Sequence, residues 1–78
     1  MARVRLFGAA REAAGASVLE LPGTSVAEVL QVAVARFGPR FEDVLGHSQV
    51  WVNGEPATAA HRIEATDELA VLPPVSGG

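Results

Sequence analysis

The stretch TSVAEVLQVAVARFGP, residues 24–39, decides the fold. Val26, Val29, Leu30, Ala33, Val34 and Phe37 recur at helical spacing and give a helix one apolar face. Ser25 and Glu28 have the spacing of a capping box, where the hydroxyl accepts an orphan N–H and the carboxylate reaches back. Gly38 suits the left-handed position after a helix, and Pro39 blocks its continuation. Some ~12 helical residues make a rod about 18 Å long. A helix of this kind must lie on an apolar surface, which the flanking segments have to supply.

Those segments read as strands. Upstream, ARVRLFG (2–8) alternates: Val4 and Leu6 fall on one face, and Arg3, Arg5 and Phe7 on the other. AAREAAG (9–15) reads as a turn of helix ending at Gly15. SVLEL (17–21) is a second strand closed by Pro22-Gly23, near enough to the first to pair with it antiparallel. Downstream, RFEDVLG (40–46) reads as a helical turn whose Phe41, Val44 and Leu45 cover the core edge. SQVWVNGE (48–55) is a third strand ending in the hairpin signal Asn53-Gly54. Pro56 demotes the returning strand to a short edge. A connector (59–67) is anchored by Ile63. ELAVLPP (68–74) is continuously apolar, as a central strand would be. The order strand-strand-helix-strand-strand-strand predicts an α+β fold: a mixed sheet of about five strands with one main helix packed on one face. This is the β-grasp, or ubiquitin-like, arrangement.

Composition narrows the function. The chain has 78 residues, enough for one small domain. It has no cysteine, which removes disulfides, thiolate metal sites, iron–sulfur ligation and thiol nucleophiles. Net charge is −3 and the six basic residues, all arginine, are scattered, so nucleic-acid binding is not expected. The absence of lysine removes the Schiff base and the isopeptide acceptor. No apolar run approaches a membrane span and no secretory leader is legible, so no membrane association is expected and the cytoplasm is the simplest address. His47 and His61 sit in separate connectors without ligand spacing, and no metal site is expected. Asp67 reads as a turn residue before the last strand.

The chain ends VLPPVSGG (71–78). Pro73 and Pro74 cannot donate to a ladder and have a fixed φ, so they end the last strand in a stiff extended piece. The division expected is a domain over 1–74 and a flexible tail over 75–78. Four residues reach about 13–14 Å. Gly77 and Gly78 have no side chain, so this end fits a slot too narrow for a Cβ. The reactive group it delivers is a carboxylate, which needs activation, with ATP as the usual reagent, before a sulfur or nitrogen nucleophile can attack it.

With RVRLFGAAREAAG, TSVAEVL, VNGE and TDELAVLPPVSGG, the chain resembles the bacterial sulfur-carrier β-grasp proteins. Within them it is most similar to the small subunits of molybdopterin synthase. The resemblance covers essentially the whole chain, and PPVSGG after an apolar strand is its most specific part. VNGE and a terminal Gly-Gly are shared with the thiamin-pathway carriers. The resemblance implies a sulfur carrier that is not an enzyme by itself. Gly78 would be adenylated by an activating enzyme using MgATP and converted to a thiocarboxylate by a sulfur donor such as a cysteine desulfurase or rhodanese-like protein. It would then donate sulfur to cyclic pyranopterin monophosphate. Val75, Ser76 and Gly77 would thread into the large synthase subunit, in a heterotetramer. No cofactor would be bound by this chain itself. Two other readings stand beside it: a carrier for thiamin or cysteine synthesis, and a ubiquitin-like protein modifier.

The partner surface expected is an apolar patch of Phe7, Trp51 and Leu72 opposite the main helix. It lies near Pro73 and Pro74 and is rimmed by arginines. Sequence leaves Trp51 two places, in this patch or in the core under 40–46. Arg11 matches an arginine of the family and either meets an acid on a partner or is solvated.

Overall fold

The alternating opening segment forms β1 (Ala2–Leu6), with Ala2, Val4 and Leu6 buried and Arg3 exposed. In the computed structural model, which describes residues 1–74, seven further elements follow. They are α1 (Gly8–Ala14), β2 (Val18–Leu21), α2 (Val26–Phe37), α3 (Pro39–Leu45), β3 (Gln49–Val52), β4 (Glu55–Pro56) and β5 (Glu68–Leu72). One mixed five-stranded sheet runs in the order β2-β1-β5-β3-β4. β1 and β5 are parallel, while β1–β2, β3–β5 and β3–β4 are antiparallel. This is the β-grasp arrangement, with β5 at the centre as its unbroken apolar run requires. Among the described residues no helix is long and apolar enough to cross a membrane.

The core lies between the sheet and the helices. Val4, Leu6, Leu69 and Val71 from the central strands meet Val26, Val29 and Ala33 of α2 and Phe41 of α3. α3 is a complete seven-residue helix rather than a single turn. Pro39 occupies its first turn, where a missing N–H costs nothing, so the proline that stops α2 also starts α3. Phe41 is 0% exposed and is the largest fully buried side chain, a central position rather than the core edge expected of it. Its ring lies 5.3 Å from that of Phe37, tilted by 50°, a favourable aromatic geometry. The expected Asn53-Gly54 turn is present, with φ of 50° and 84°, both positive as a primed hairpin turn demands.

The entry to α2 departs slightly from the simple capping box. Ser25 Oγ accepts the Glu28 N–H at 3.2 Å, as expected. The Glu28 carboxylate, however, reaches Thr24, accepting its N–H at 2.8 Å and its hydroxyl at 2.7 Å. The 59–67 connector satisfies the next orphan donors: Val26 N–H bonds the His61 carbonyl and Ala27 N–H the Ala59 carbonyl. Ile63, 4% exposed, anchors this connector as expected. At its end Asp67 accepts from the Glu64 N–H at 2.7 Å and from the Asn53 amide at 2.9 Å. Asn53 Oδ1 in turn accepts the Glu68 N–H, so the hairpin and the start of β5 are tied together.

These bonds make stability depend on pH. The Thr24 N–H and hydroxyl hold the Glu28 carboxyl below its ordinary value. The Glu64 N–H and then the Asn53 amide do the same for Asp67. A carboxyl depressed in the folded state contributes stability above its unfolded pKa, near 4, and that contribution is lost as pH falls through the folded value. The melting temperature is therefore expected to hold from neutrality to about pH 5 and to drop below about pH 4. Replacing Glu28 by Gln and Asp67 by Asn should lower the melting temperature at neutral pH and flatten that drop. Parallel acid profiles, followed by circular dichroism, would count against this assignment.

Candidate protein interface and tail root

The alternation that buries Val4, Leu6, Leu69 and Val71 turns their neighbours to the face of the sheet away from the helices. Register lines these neighbours up. Arg5 stands opposite Val18 on one side and Ala70 on the other; Ala70 faces Trp51, and Trp51 faces Pro56. One row thus crosses all five strands. In the next row Gln49 pairs with Leu72. Phe7 lies one residue beyond the paired part of β1. Its extended backbone (φ −125°, ψ 155°) continues the alternation, which puts it beside Leu72 in the parallel register.

The structure therefore brings Phe7, Trp51 and Leu72 to one face. Trp51 is half-buried on that face and is not a core residue under α3. Its indole Nε1–H donates to Gln49 Oε1 at 3.1 Å, which holds the ring along its own strand. Phe7 is 41% exposed. Arg5 Nε donates to Glu68 Oε2 at 2.9 Å across the β1–β5 pair, a half-exposed contact that fixes one arginine of the rim. Such a pair is worth under about 1 kcal/mol and orients the side chain more than it stabilises the fold. Arg11 is exposed on α1.

Sequence reading missed Val18, 49% exposed at the β2 end of the row. Its alternation with the half-buried Leu19 was the available signal. Pro56 and Ala70 complete the row but look unremarkable in sequence, because only the register brings them beside Trp51.

The tail root sits at the same end of the sheet as Phe7. Phe7 N–H donates to the Val71 carbonyl at 3.1 Å, and β5 then runs out into exposed Pro73 and Pro74. Val75, Ser76, Gly77 and Gly78, and with them the boundary expected after residue 74, lie outside the described residues. His47 and His61 are exposed and apart; His47 Nδ1 lies 3.0 Å from the Asp43 carbonyl at the end of α3. Among the described residues no cluster of His, Cys, Asp and Glu could hold a metal ion.

Comparison with known proteins gives this geometry a context. The family model described as the ThiS family matches residues 4–78. The molybdopterin synthase sulfur carrier subunit of Arabidopsis thaliana is 35% identical over 79 aligned residues, 97% of this chain and 81% of that protein. Among solved structures, SAMP1 of Haloferax volcanii superposes with a TM-score of 0.78 at 34% identity, covering 99% of this chain and 98% of that one. The small archaeal modifier protein 1 of Methanosarcina acetivorans gives a TM-score of 0.87 at 29% identity, over 99% and 95% of the two chains.

Proposed function

Because the chain belongs to the ThiS family, we propose that it is a sulfur carrier serving molybdopterin formation. The observation that carries this reading is the 35% identity, over nearly the whole chain, to a molybdopterin synthase sulfur carrier subunit. In this reading the chain is a substrate and not a catalyst. Its Gly78 carboxylate attacks the α-phosphorus of ATP on an adenylating enzyme, releasing pyrophosphate and leaving an acyl-adenylate. A persulfide sulfur then displaces AMP, and a thiol releases the thiocarboxylate. The large synthase subunit accepts the threaded tail, and the sulfur passes to cyclic pyranopterin monophosphate. MgATP is consumed by the activating enzyme and is not bound by this chain, and the cytoplasm is the compartment of the same proposal.

The open sheet face is the docking surface in this reading. Phe7, Trp51 and Leu72 supply the anchors, and Arg11, Pro73 and Pro74 complete the contact. Exchanging Phe7 for Arg should weaken binding to the large subunit about 30-fold, the cost of losing one aromatic anchor of about 2 kcal/mol. With Phe7 41% exposed, stability should change by less than about 1 kcal/mol. Calorimetric titration and thermal melting separate the two effects. Collapse of the fold would place Phe7 in the core instead.

A second reading, a ubiquitin-like protein modifier, is favoured by the 34% identity to SAMP1. Affinity purification of the tagged full chain from its own cells distinguishes the two. Recovery of a large subunit with bound pyranopterin supports the synthase reading. Gly78 found only in isopeptide linkage to lysines of other proteins supports the modifier. A large subunit of a thiamin or cysteine pathway would move the chemistry to that pathway.

A further inference from the structure

We infer that the outer edge of β2 pairs with the same edge of a second copy of this chain, with Leu19 on the twofold axis. The sheet ends in two edges, β2 and β4, and they are built differently. β4 is two residues long and contains Pro56, which has no N–H to offer a neighbour. β2 is four residues long, Val18–Leu21, with neither proline nor glycine. Lysine, a common guard of sheet edges, is absent from the chain.

Register decides which backbone groups of β2 are open. The Leu6 N–H donates to the Ser17 carbonyl at 2.9 Å. Bonds to an antiparallel neighbour alternate along a strand, so Ser17, Leu19 and Leu21 turn their backbone groups toward β1. Val18 and Glu20 turn theirs outward. Among the described residues no strand pairs with that outward side. Two N–H and two C=O groups therefore line the edge. Side chains alternate as well. Leu19 is half-buried and Leu21 buried on the helix side, while Val18, 49% exposed, and Glu20 stand on the open face.

One antiparallel register uses all of these groups. It sets Val18 opposite Glu20 of the second copy, Glu20 opposite its Val18, and Leu19 opposite its Leu19. Each Val18–Glu20 pair exchanges two backbone bonds, and the two leucines form the closer, non-hydrogen-bonded pair on the helix side. No like charges stand opposite each other, and each Glu20 keeps Arg3 of its own β1 beside it. Setting Glu20 against Glu20 would lose that balance. Past the end of β2 the helix side is open: Pro22, Gly23, Val32 and Ala35 line an apolar groove of about 420 Å³ against α2. A neighbouring strand is thus not shut out by a helix wall.

The pairing joins two five-stranded sheets into one, with the helices of both copies on the same side. Its twofold axis is perpendicular to the sheet, so the two β5 strands leave in opposite directions. The contact is lateral and leaves Phe7, Trp51 and Leu72 open on each copy. So short an edge buries less than the roughly 1,200 Å² of a stable complex, which makes the dimer weak, with Kd on the order of 100 µM.

Sedimentation equilibrium of the full chain, from about 10 µM to about 1 mM, should show a monomer–dimer equilibrium. Amide resonances followed by NMR over the same range should shift more at Val18 and Glu20 than at Leu19 and Leu21, which already bond β1. Val18→Glu should raise the dissociation constant about 10-fold, because like charges then oppose each other twice in the dimer. Its melting temperature should not fall, since position 18 stands beside Arg5 in its own chain. Adding Glu20→Arg should bring the constant back to within about 3-fold of wild type by setting opposite charges face to face. Glu20→Pro removes an outward N–H and spares the β1 ladder, and should raise the constant about 30-fold or more. Phe7→Arg should leave it unchanged.

A chain that is still monomeric at about 1 mM overturns the inference. So does a dimer broken by Phe7→Arg and not by Val18→Glu, which would put the contact on the open sheet face. If Glu20→Pro proves unfolded by thermal melting, the charge exchange at 18 and 20 decides alone. Failure of that exchange to restore pairing overturns the register, and Leu19 leaves the axis with it.

Discussion

Deleting Gly78 is expected to reduce ATP-dependent thiocarboxylate formation to background while leaving the melting temperature within about 2 °C of wild type. The chemistry in the carrier reading requires a terminal carboxylate on a side-chain-free backbone. Removing one residue draws that carboxylate back by about 3.5 Å. A displacement of about 1 Å can already cost about 100-fold in a reaction that depends on alignment. Stability should not follow, because every buried hydrophobic among the described residues lies between Ala2 and Val71. Gly77→Val should give the same separation, by presenting a branched side chain to a slot shaped for none. Unfolding of either variant would show that the end contributes to the domain and is not presented by it.

Phe41→Ala is expected to have the largest effect on stability. A 78-residue domain has about 4–12 kcal/mol in total at typical values per residue. Truncating a fully buried phenylalanine costs about 3–5 kcal/mol, from lost transfer free energy and the cavity left behind. Phe41 is 0% exposed in the core it shares with α2 and the central strands, and its helix α3 packs against α1 and α2. The variant should therefore melt far below wild type or be unfolded at room temperature, as denaturant titration would show. Phe37→Ala removes the partner ring from a half-buried position and should cost less. Equal losses at the two sites would mean that the cavity at Phe41 is relieved by collapse of α3.

Elements whose patterns are local were legible in the chain. The alternation through Phe7, the helical spacing from Val26 to Phe37, the Asn53-Gly54 turn and the apolar run of β5 each state their geometry within a few residues. α1 and α3 were less legible as helices, since seven residues hold too few turns for periodicity to declare itself. The central position of Phe41 was not legible at all, because the packing of a short helix is decided by elements far away in sequence. The same holds for the site. Alternation sorted Arg5 and Phe7 from Val4 and Leu6, but the place of Trp51 became definite only through its antiparallel register with Ala70. Val18 escaped notice for the same reason, since it joins the row only through strand pairing.

The most direct measurement is the intact mass of the full chain after incubation with its cognate adenylating enzyme, MgATP and a persulfide donor. The expected product is heavier by the exchange of one oxygen for one sulfur, and fragmentation places the change at Gly78. An unchanged mass, with an enzyme that activates another carrier under the same conditions, would contradict the assignment of this chain as a sulfur carrier.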